Sequence, residues 1–303
     1  MYDLIILGAG PAGITAAIYA ARKRLNSLVI TKDVGGQAAR SAAVKDYKGY
    51  QYITGFELVK KFEDHAKEFK IEVKECEEAV GVKKRNGVIE VKTDKGVYEA
   101  RSLIIATGAR ARTLKLPGEN EFKNRGVTYC ATCDAPLFVD MDVAVIGGGN
   151  SALDATIQLM KIANKIYLIN KNSSFRGDEV MREKIDASDK VTIFTNANPL
   201  EILGDRLVSG IRVEIGGKQE TLKVRGVFIE IGSVSNSDFV DEPIERNQRG
   251  EIVVDNHNKT SVPGIFAAGD VTNVPQKQIV IAAGEGAKAA LSANEYLARL
   301  KQL

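Results

Sequence analysis

The stretch DLIILGAGPAG, residues 3–13, passes from an apolar run straight into a glycine-rich turn. An alanine-rich helical stretch follows over 14–22, and SLVIT at 27–31 has the composition of a second strand. Strand, tight turn, helix, strand is the setting in which G-x-G-x-x-G binds a dinucleotide. Outside it, the same glycines would mark no more than turns and caps. Gly8 permits the turn, Gly10 lets the backbone approach a pyrophosphate, and Gly13 brings helix against sheet, with Pro11 and Ala12 between them. The helix N-terminus then supplies free N–H groups and partial positive charge.

The pattern returns downstream. DVAVI at 142–146 leads into Gly147-Gly148-Gly149-Asn150-Ser151-Ala152, a helix to about 163 and a strand KIYLI at 165–169. Ala152 replaces the third glycine and is small enough for the same packing role. SLIIATG at 102–108 closes the first unit as GVFIEIG at 226–232 closes the second, each an apolar strand ending at a glycine. Two such units in one chain imply two nucleotides and electron transfer between them, the arrangement of a flavoprotein reductase rather than a simple dehydrogenase.

Bulk properties narrow the class. A chain of 303 residues is long enough for two domains. Its 42 basic and 39 acidic side chains nearly cancel, which argues against nucleic acid or a membrane surface as partner. No apolar run reaches the length of a membrane span, and MYDLIILGAG lacks the basic region and cleavage pattern of a signal peptide. A cytoplasmic location is expected. There thiols stay reduced, so a close cysteine pair points to catalysis or metal more than to a structural staple.

That pair lies in YCATCD, residues 129–134. Cys130 and Cys133 have the spacing of a redox dithiol, of half a zinc site, or of two buried inert thiols. Zinc needs further ligands, and Cys76, His65 and His257 are isolated in sequence; no metal site is expected. A redox dithiol reacts through a thiolate, so a proton must come and go nearby. With no histidine adjacent, Asp134 is the candidate acid/base; otherwise it is a turn or cap residue. Cys76 reads as structural. In GFELVKKFEDHAKEF, Phe56, Leu58, Val59, Phe62, Ala66 and Phe69 form an expected core stripe of a helix that also carries His65.

Over residues 3–299 the chain resembles the low-molecular-weight thioredoxin reductase family, which includes the flavoprotein component of alkyl hydroperoxide reductase. The resemblance rests on GAGPAG (8–13), GGQ (35–37), ATG (106–108), CATCD (130–134), GGGNSA (147–152) and AAGDVTNVPQKQIVIAAGEGAKAALSANEYL (267–297). The last segment looks closer to the peroxide-reductase flavoprotein. The thioredoxin-like domain that precedes the core in many of those proteins is expected to be absent.

The resemblance implies an α/β fold of two Rossmann-like dinucleotide-binding domains, the second inserted into the first. The FAD-binding domain would comprise 1–115 and 244–303. An NAD(P)-binding domain at 116–243 would carry the CxxC, with LKLPGE (114–119) and DEPIERN (241–247) as linkers. FAD would be held by Gly8, Gly10, Pro11, Ala12, Gly13, Gly36, Gln37, Asp46, Val80, Ala106, Thr107, Gly108, Gly269, Asp270, Lys277, Gln278 and Ile279. At Asp46, in VKDY, relatives commonly carry asparagine. NAD(P)H would meet Gly147, Gly149, Asn150, Ser151, Ala152, Asn170, Lys171, Arg176 and Gly232. The run NKNSSFRG, 170–177, departs from the family: NADPH-using relatives have His-Arg-Arg and a further arginine, of which Arg176 survives and Lys171 replaces one. An NAD-specific site would place an acid where Asn170 stands. NADPH, NADH and a ferredoxin-type donor all stay open, with the two cations tilting toward NADPH.

By the same resemblance, Cys133 is the flavin-proximal thiol and Cys130 attacks the partner's disulfide. The activity implied is a thioredoxin-disulfide reductase: NAD(P)H to FAD, to Cys130–Cys133, to a thioredoxin-like or glutaredoxin-like protein. Family members rotate the inserted domain to present nicotinamide and disulfide alternately, and work as homodimers. The rival readings are an electron supplier for peroxide reduction and a non-enzymatic flavin-binding redox sensor.

Overall fold

The structure, a computed structural model, describes residues 1–41, 44 and 46–300. Lys45 of VKDY and the last three residues of the expected C-terminal FAD piece, 301–303, lie outside the described residues. The chain divides into two compact units, Met1–Arg110 with Val234–Leu303, and Ala111–Ser233.

The first unit opens with β1 (Tyr2–Ala9), α1 (Pro11–Arg22), β2 (Ser27–Val34), α2 (Gly55–Glu68), β3 (Glu72–Lys74), β4 (Ala79–Arg85), β5 (Val88–Thr93) and β6 (Val97–Ile105). The second contributes β7 (Ala109–Ala111, begun in the first unit), β8 (Val127–Thr128), α3 (Ala131–Asp134), β9 (Asp142–Ile146), α4 (Asn150–Met160), β10 (Lys165–Ile169), α5 (Glu179–Asp186), β11 (Val191–Phe194), β12 (Ala197–Gly204), β13 (Val208–Ile215), β14 (Lys218–Leu222), β15 (Gly226–Ile229) and β16 (Ser233–Ser235). The chain then returns to the first unit for β17 (Ile265–Ala267) and α6 (Ile279–Leu300).

In the first unit β1 runs parallel between β2 and β6, with β3 beyond β2. The long β6 serves two partners on its other side. Its start pairs antiparallel with β5, and Leu103–Ile105 pairs parallel with β17. Leu4 and Ile6 pack with α1 and α6, whereas Ile5 and Leu7 pack in the cluster holding Val91, Ile105 and Ile252. A strand covered on both faces needs a continuous apolar run, which is what DLIIL supplies. The helices α1 and α6 meet through alanines, and a Cβ on Gly286 would stand 2.0 Å from the Ala12 carbonyl oxygen.

The second unit repeats the plan with a parallel sheet ordered β11-β10-β9-β15-β8. Val143 and Val145 pack toward α4, Ala144 and Ile146 toward the antiparallel sheet β12-β13-β14. LKLPGE is built into this unit rather than strung between units. Leu114 packs in its core, and the Glu119 carboxylate accepts from the N–H groups of Leu114 and Leu116 and the Tyr129 hydroxyl. Likewise Ile244 of the second expected linker is buried in the first unit. The backbone passes from one unit to the other at Arg110–Ala111 and back at Ser233–Val234.

On α2, Leu58 and Val59 are buried but Phe56 is 72% exposed. Leu58, Phe62, Ala66 and Phe69 follow helical spacing, and Phe56 lies about 200° round the helix from Leu58. The expected stripe therefore loses its first residue. No described helix is long and apolar enough to cross a membrane.

Candidate active site and nucleotide sites

In the first unit the β1–α1 turn is set by contact, not only by conformation. Gly8 has φ +99°, and a Cβ on Gly13 would lie 1.9 Å from the Gly8 carbonyl oxygen, so the helix starts tight against the turn only because Gly13 has no side chain. Gly10 caps α1 without a side-chain bond, and Pro11 occupies the first turn, where a missing N–H costs nothing. Around this turn the structure gathers much of the expected set. The Gly35 N–H donates to the Ala9 carbonyl, and Gly36 approaches Gly10. Gln37 donates to the Ala109 carbonyl at 2.6 Å. Ala106 donates to the Leu7 carbonyl, and Gly269 packs on Ala12. Asn236, which sequence reading passed over, holds the 106–108 corner. Its amide donates to the Thr107 carbonyl, its N–H to the Gly108 carbonyl, and its carbonyl accepts from the Thr107 hydroxyl.

A Cβ on Gly10 or Gly108 would meet nothing within 4 Å. Open space beside backbone N–H groups at a helix start suits a dinucleotide phosphate, so these residues fit FAD. Burial raises the Asp270 carboxyl above its usual range, opposed by Lys277 and reinforced by Glu251. The Lys277 ammonium reaches Glu251 at 3.2 Å and the Asp270 carbonyl at 3.3 Å, bracing the segment that leads to α6. Gln278 immediately precedes α6, and Ile279 packs with Val44, Ile53 and Leu58. Asp46 is exposed in a bend of the 44–53 loop. Val80 is 48% exposed on the edge strand β4, where the register slips between Ala79 and Gly81.

In the second unit the β9–α4 turn repeats this construction. A Cβ on Gly147 would lie 2.3 Å from the Glu230 carbonyl oxygen and 2.8 Å from the Ala152 Cβ, while one on Gly149 would meet nothing within 4 Å. Residues 170–178 fold back onto the turn. The Arg176 N–H donates to the Gly148 carbonyl at 2.7 Å, and the Asn150 side chain accepts from the Asp178 N–H at 2.7 Å. Asn170 is buried and committed at both ends of its amide, to the Asn172 N–H and the Ser174 carbonyl. Lys171, Arg176 and Ser151 are exposed, and the Gly232 carbonyl accepts from Arg112.

The same unit holds the cysteine pair. Cys130 and Cys133 are disulfide-bonded, their Cα atoms 5.3 Å apart. Cys130 is the N-cap of the one-turn helix α3, its sulfur accepting from the Cys133 N–H at 3.2 Å. Asp134 accepts a hydrogen bond from the Thr128 hydroxyl, which also accepts from the Cys130 N–H. Burial raises the Asp134 carboxyl, with the Thr128 bond working against it. Glu230, absent from the sequence-derived set, follows β15 and accepts the Ala131 N–H at 3.2 Å, the amide just after Cys130. Burial pushes its carboxyl up to about 7, the Ala131 bond opposing and the Asp154 charge adding. Cys76 is exposed, and among the described residues no group of three or more His, Cys, Asp or Glu stands close enough to hold a metal ion.

Residues 2–286 match the pattern of the pyridine nucleotide-disulphide oxidoreductase family. The chain is 43% identical over 301 residues to an NADH dehydrogenase of Ferdinandcohnia aciditolerans, covering 98% of this chain and 58% of that protein. It is 41% identical to an alkyl hydroperoxide reductase subunit of Staphylococcus aureus, covering 98% and 59%. The chain thus spans less than two thirds of the length of these curated relatives. The thioredoxin reductase of Streptococcus pyogenes superposes with a TM-score of 0.91 at 36% identity, over 99% of each chain.

Proposed function

The chain belongs to the pyridine nucleotide-disulphide oxidoreductase family, and on that premise we propose that it is a flavoprotein disulfide reductase acting on a thioredoxin-like or glutaredoxin-like protein. Electrons would pass from NAD(P)H through FAD and the Cys130–Cys133 pair. The observation that carries this reading is the bonded Cys130–Cys133 pair beside a half-buried Asp134 whose carboxyl is raised by burial, in the unit that also bears the second nucleotide turn.

FAD, when bound, supplies a two-electron carrier between nicotinamide and disulfide. Its pyrophosphate suits the N–H groups beginning α1, with Gly36 and Gly269 close around the turn. Cys133 receives the electrons and Cys130, opening the helix turn, exchanges with the partner's disulfide. Asp134 holds the proton that a departing thiolate requires. Its raised carboxyl keeps that proton nearer neutrality than an exposed aspartate would. The reading extends to a cytoplasmic homodimer.

Cys130→Ser and Cys133→Ser test it. Both should abolish reduction of a thioredoxin-like disulfide while NAD(P)H still bleaches the flavin absorbance, because the nucleotide half-reaction does not need the thiols. Normal turnover in either variant would rule the dithiol route out. The similarity to the alkyl hydroperoxide reductase protein favours a second reading, electron supply to peroxide reduction. Reconstitution with a small CxxC protein and a thiol peroxidase distinguishes the two.

A further inference from the structure

Glu230 is a half-buried carboxylate that the proposed electron route leaves unused. It stands at the carboxyl end of β15, where its own N–H donates to the Ile146 carbonyl and its carbonyl lies against Gly147. Its position is therefore fixed by the sheet. Its side chain reaches across to α3 and accepts the Ala131 N–H, the amide between the two cysteines. From α4 it faces Asp154, whose carboxylate accepts from Gln158, itself reaching Thr132 of the CxxC turn. The other acid on that turn is Asp134, bound to Thr128. The charge that acts on Glu230 is thus a carboxylate, Asp154, and not a cation.

Resting on the disulfide-reductase reading above, we propose that Glu230 is a titrating positioning residue of the Cys130–Cys133 centre, gaining a proton when the disulfide opens and releasing it when the disulfide closes. Opening breaks the Sγ–Sγ bond, takes two electrons, and leaves one thiol and one thiolate or two thiols. Wherever a thiolate persists, a negative charge appears beside a carboxylate already crowded by Asp154. The carboxylate answers by taking a proton from solvent. No proton needs to pass from Glu230 to sulfur; the coupling is electrostatic, and it is reciprocal. An ionised Glu230 disfavours the reduced pair, a protonated one does not.

The holoprotein is equilibrated with dithiothreitol redox buffers from pH 6 to 9, and the fraction of Cys130 and Cys133 open to alkylation is read by mass. Dithiothreitol supplies both electrons and closes to its cyclic disulfide. Wild type is compared with Glu230→Gln in the same buffer, so the pH dependence of the reductant cancels. Glutamine keeps an acceptor for the Ala131 N–H and loses the titration. A one-unit displacement of the Glu230 pKa between the two redox states gives about a tenfold effect. The reduced-to-oxidised ratio of wild type should match the variant near pH 6 and fall about tenfold below it by pH 8.5. Asp154→Asn, which keeps Glu230 but removes its charged neighbour, should move the wild-type profile to lower pH, and this arm stands even where Glu230→Gln does not fold. Parallel profiles for wild type and the variants would overturn the proposal. A pair that does not cycle with dithiothreitol at any pH would instead sink the disulfide-reductase reading itself.

Discussion

Arg176→Ala probes the choice of nucleotide. Asn170 stands where the sequence pattern of an NAD-specific site is expected to place an acid, and its amide is buried and spent on Asn172 and Ser174. The exposed cations in that segment are Lys171 and Arg176, and Arg176 is pinned by its own backbone to Gly148 of the turn. A guanidinium so placed suits a 2′-phosphate as a fork, Lys171 as a point charge. One charge-assisted hydrogen bond is worth about 1.5–3 kcal/mol, and exposure of both groups puts the value at the low end. Arg176→Ala should therefore raise the NADPH concentration for half-maximal flavin bleaching about tenfold, and leave NADH nearly untouched. The assay is anaerobic stopped-flow at 450 nm, about the flavin maximum, at fixed low ionic strength, since salt screens exposed contacts. Equal weakening for both nucleotides would show that Arg176 does not read the phosphate. No bleaching by either would redirect attention to a ferredoxin-type donor.

Gly13→Ala should yield colourless protein that does not bind added FAD, because its Cβ would press on the Gly8 carbonyl at 1.9 Å; Gly10→Ala, facing open space, should fold normally and weaken FAD alone. Thermal melting and the ratio of flavin to protein absorbance separate the two, and a yellow, normally melting Gly13→Ala would refute the packing argument. Glu230 should also leave a signature on stability. A carboxyl raised from 4.5 to about 7 on folding binds a proton more tightly in the native state, so its contribution is present below pH ~4.5 and lost as pH rises through 7. At roughly 1.4 kcal/mol per unit, that loss amounts to about 3 kcal/mol. Glu230→Gln should escape it, gaining on wild type in urea midpoint between pH 5 and 8; a constant difference across that range would contradict the raised value.

The fold was legible where its causes are local. DLIIL and DVAVI are strands buried on both faces, and the glycines that follow them are dictated by contacts within a few residues, as Gly13 against Gly8 shows. The helix at 55–68 was legible too, although its exact face was not. A capping box, Thr54 with Glu57, fixes its start, but its rotation is set by the 44–53 loop packed on Leu58 and Phe62, which leaves Phe56 outside. The crossings were hard to read because proline and glycine signal a turn without saying what the turn packs against. Pro117-Gly118 lies on Ile202, whose N–H donates to the Pro117 carbonyl, so LKLPGE belongs to a unit rather than to a linker.

The same distinction separates the two acids near the cysteines. Asp134 follows Cys133 directly, so the sequence itself offers it as a proton carrier, and its bond to Thr128 closes over six residues. Glu230 meets Ala131 across 99 residues, and GVFIEIG reads only as a buried strand ending near a nucleotide. Its signal was still present: an acid in a strand otherwise built of Val, Phe and Ile needs a partner at its end. What the sequence lacks is the parallel register that sets β15 between β9 and β8, and so carries residue 230 to the start of α3. The strand order that forms the second nucleotide turn, with the Glu230 carbonyl against Gly147, is therefore also what delivers its carboxylate to the disulfide. A substitution that shifted β15 against β9 would disturb both sites at once, whereas Glu230→Gln leaves that register intact and changes only the charge.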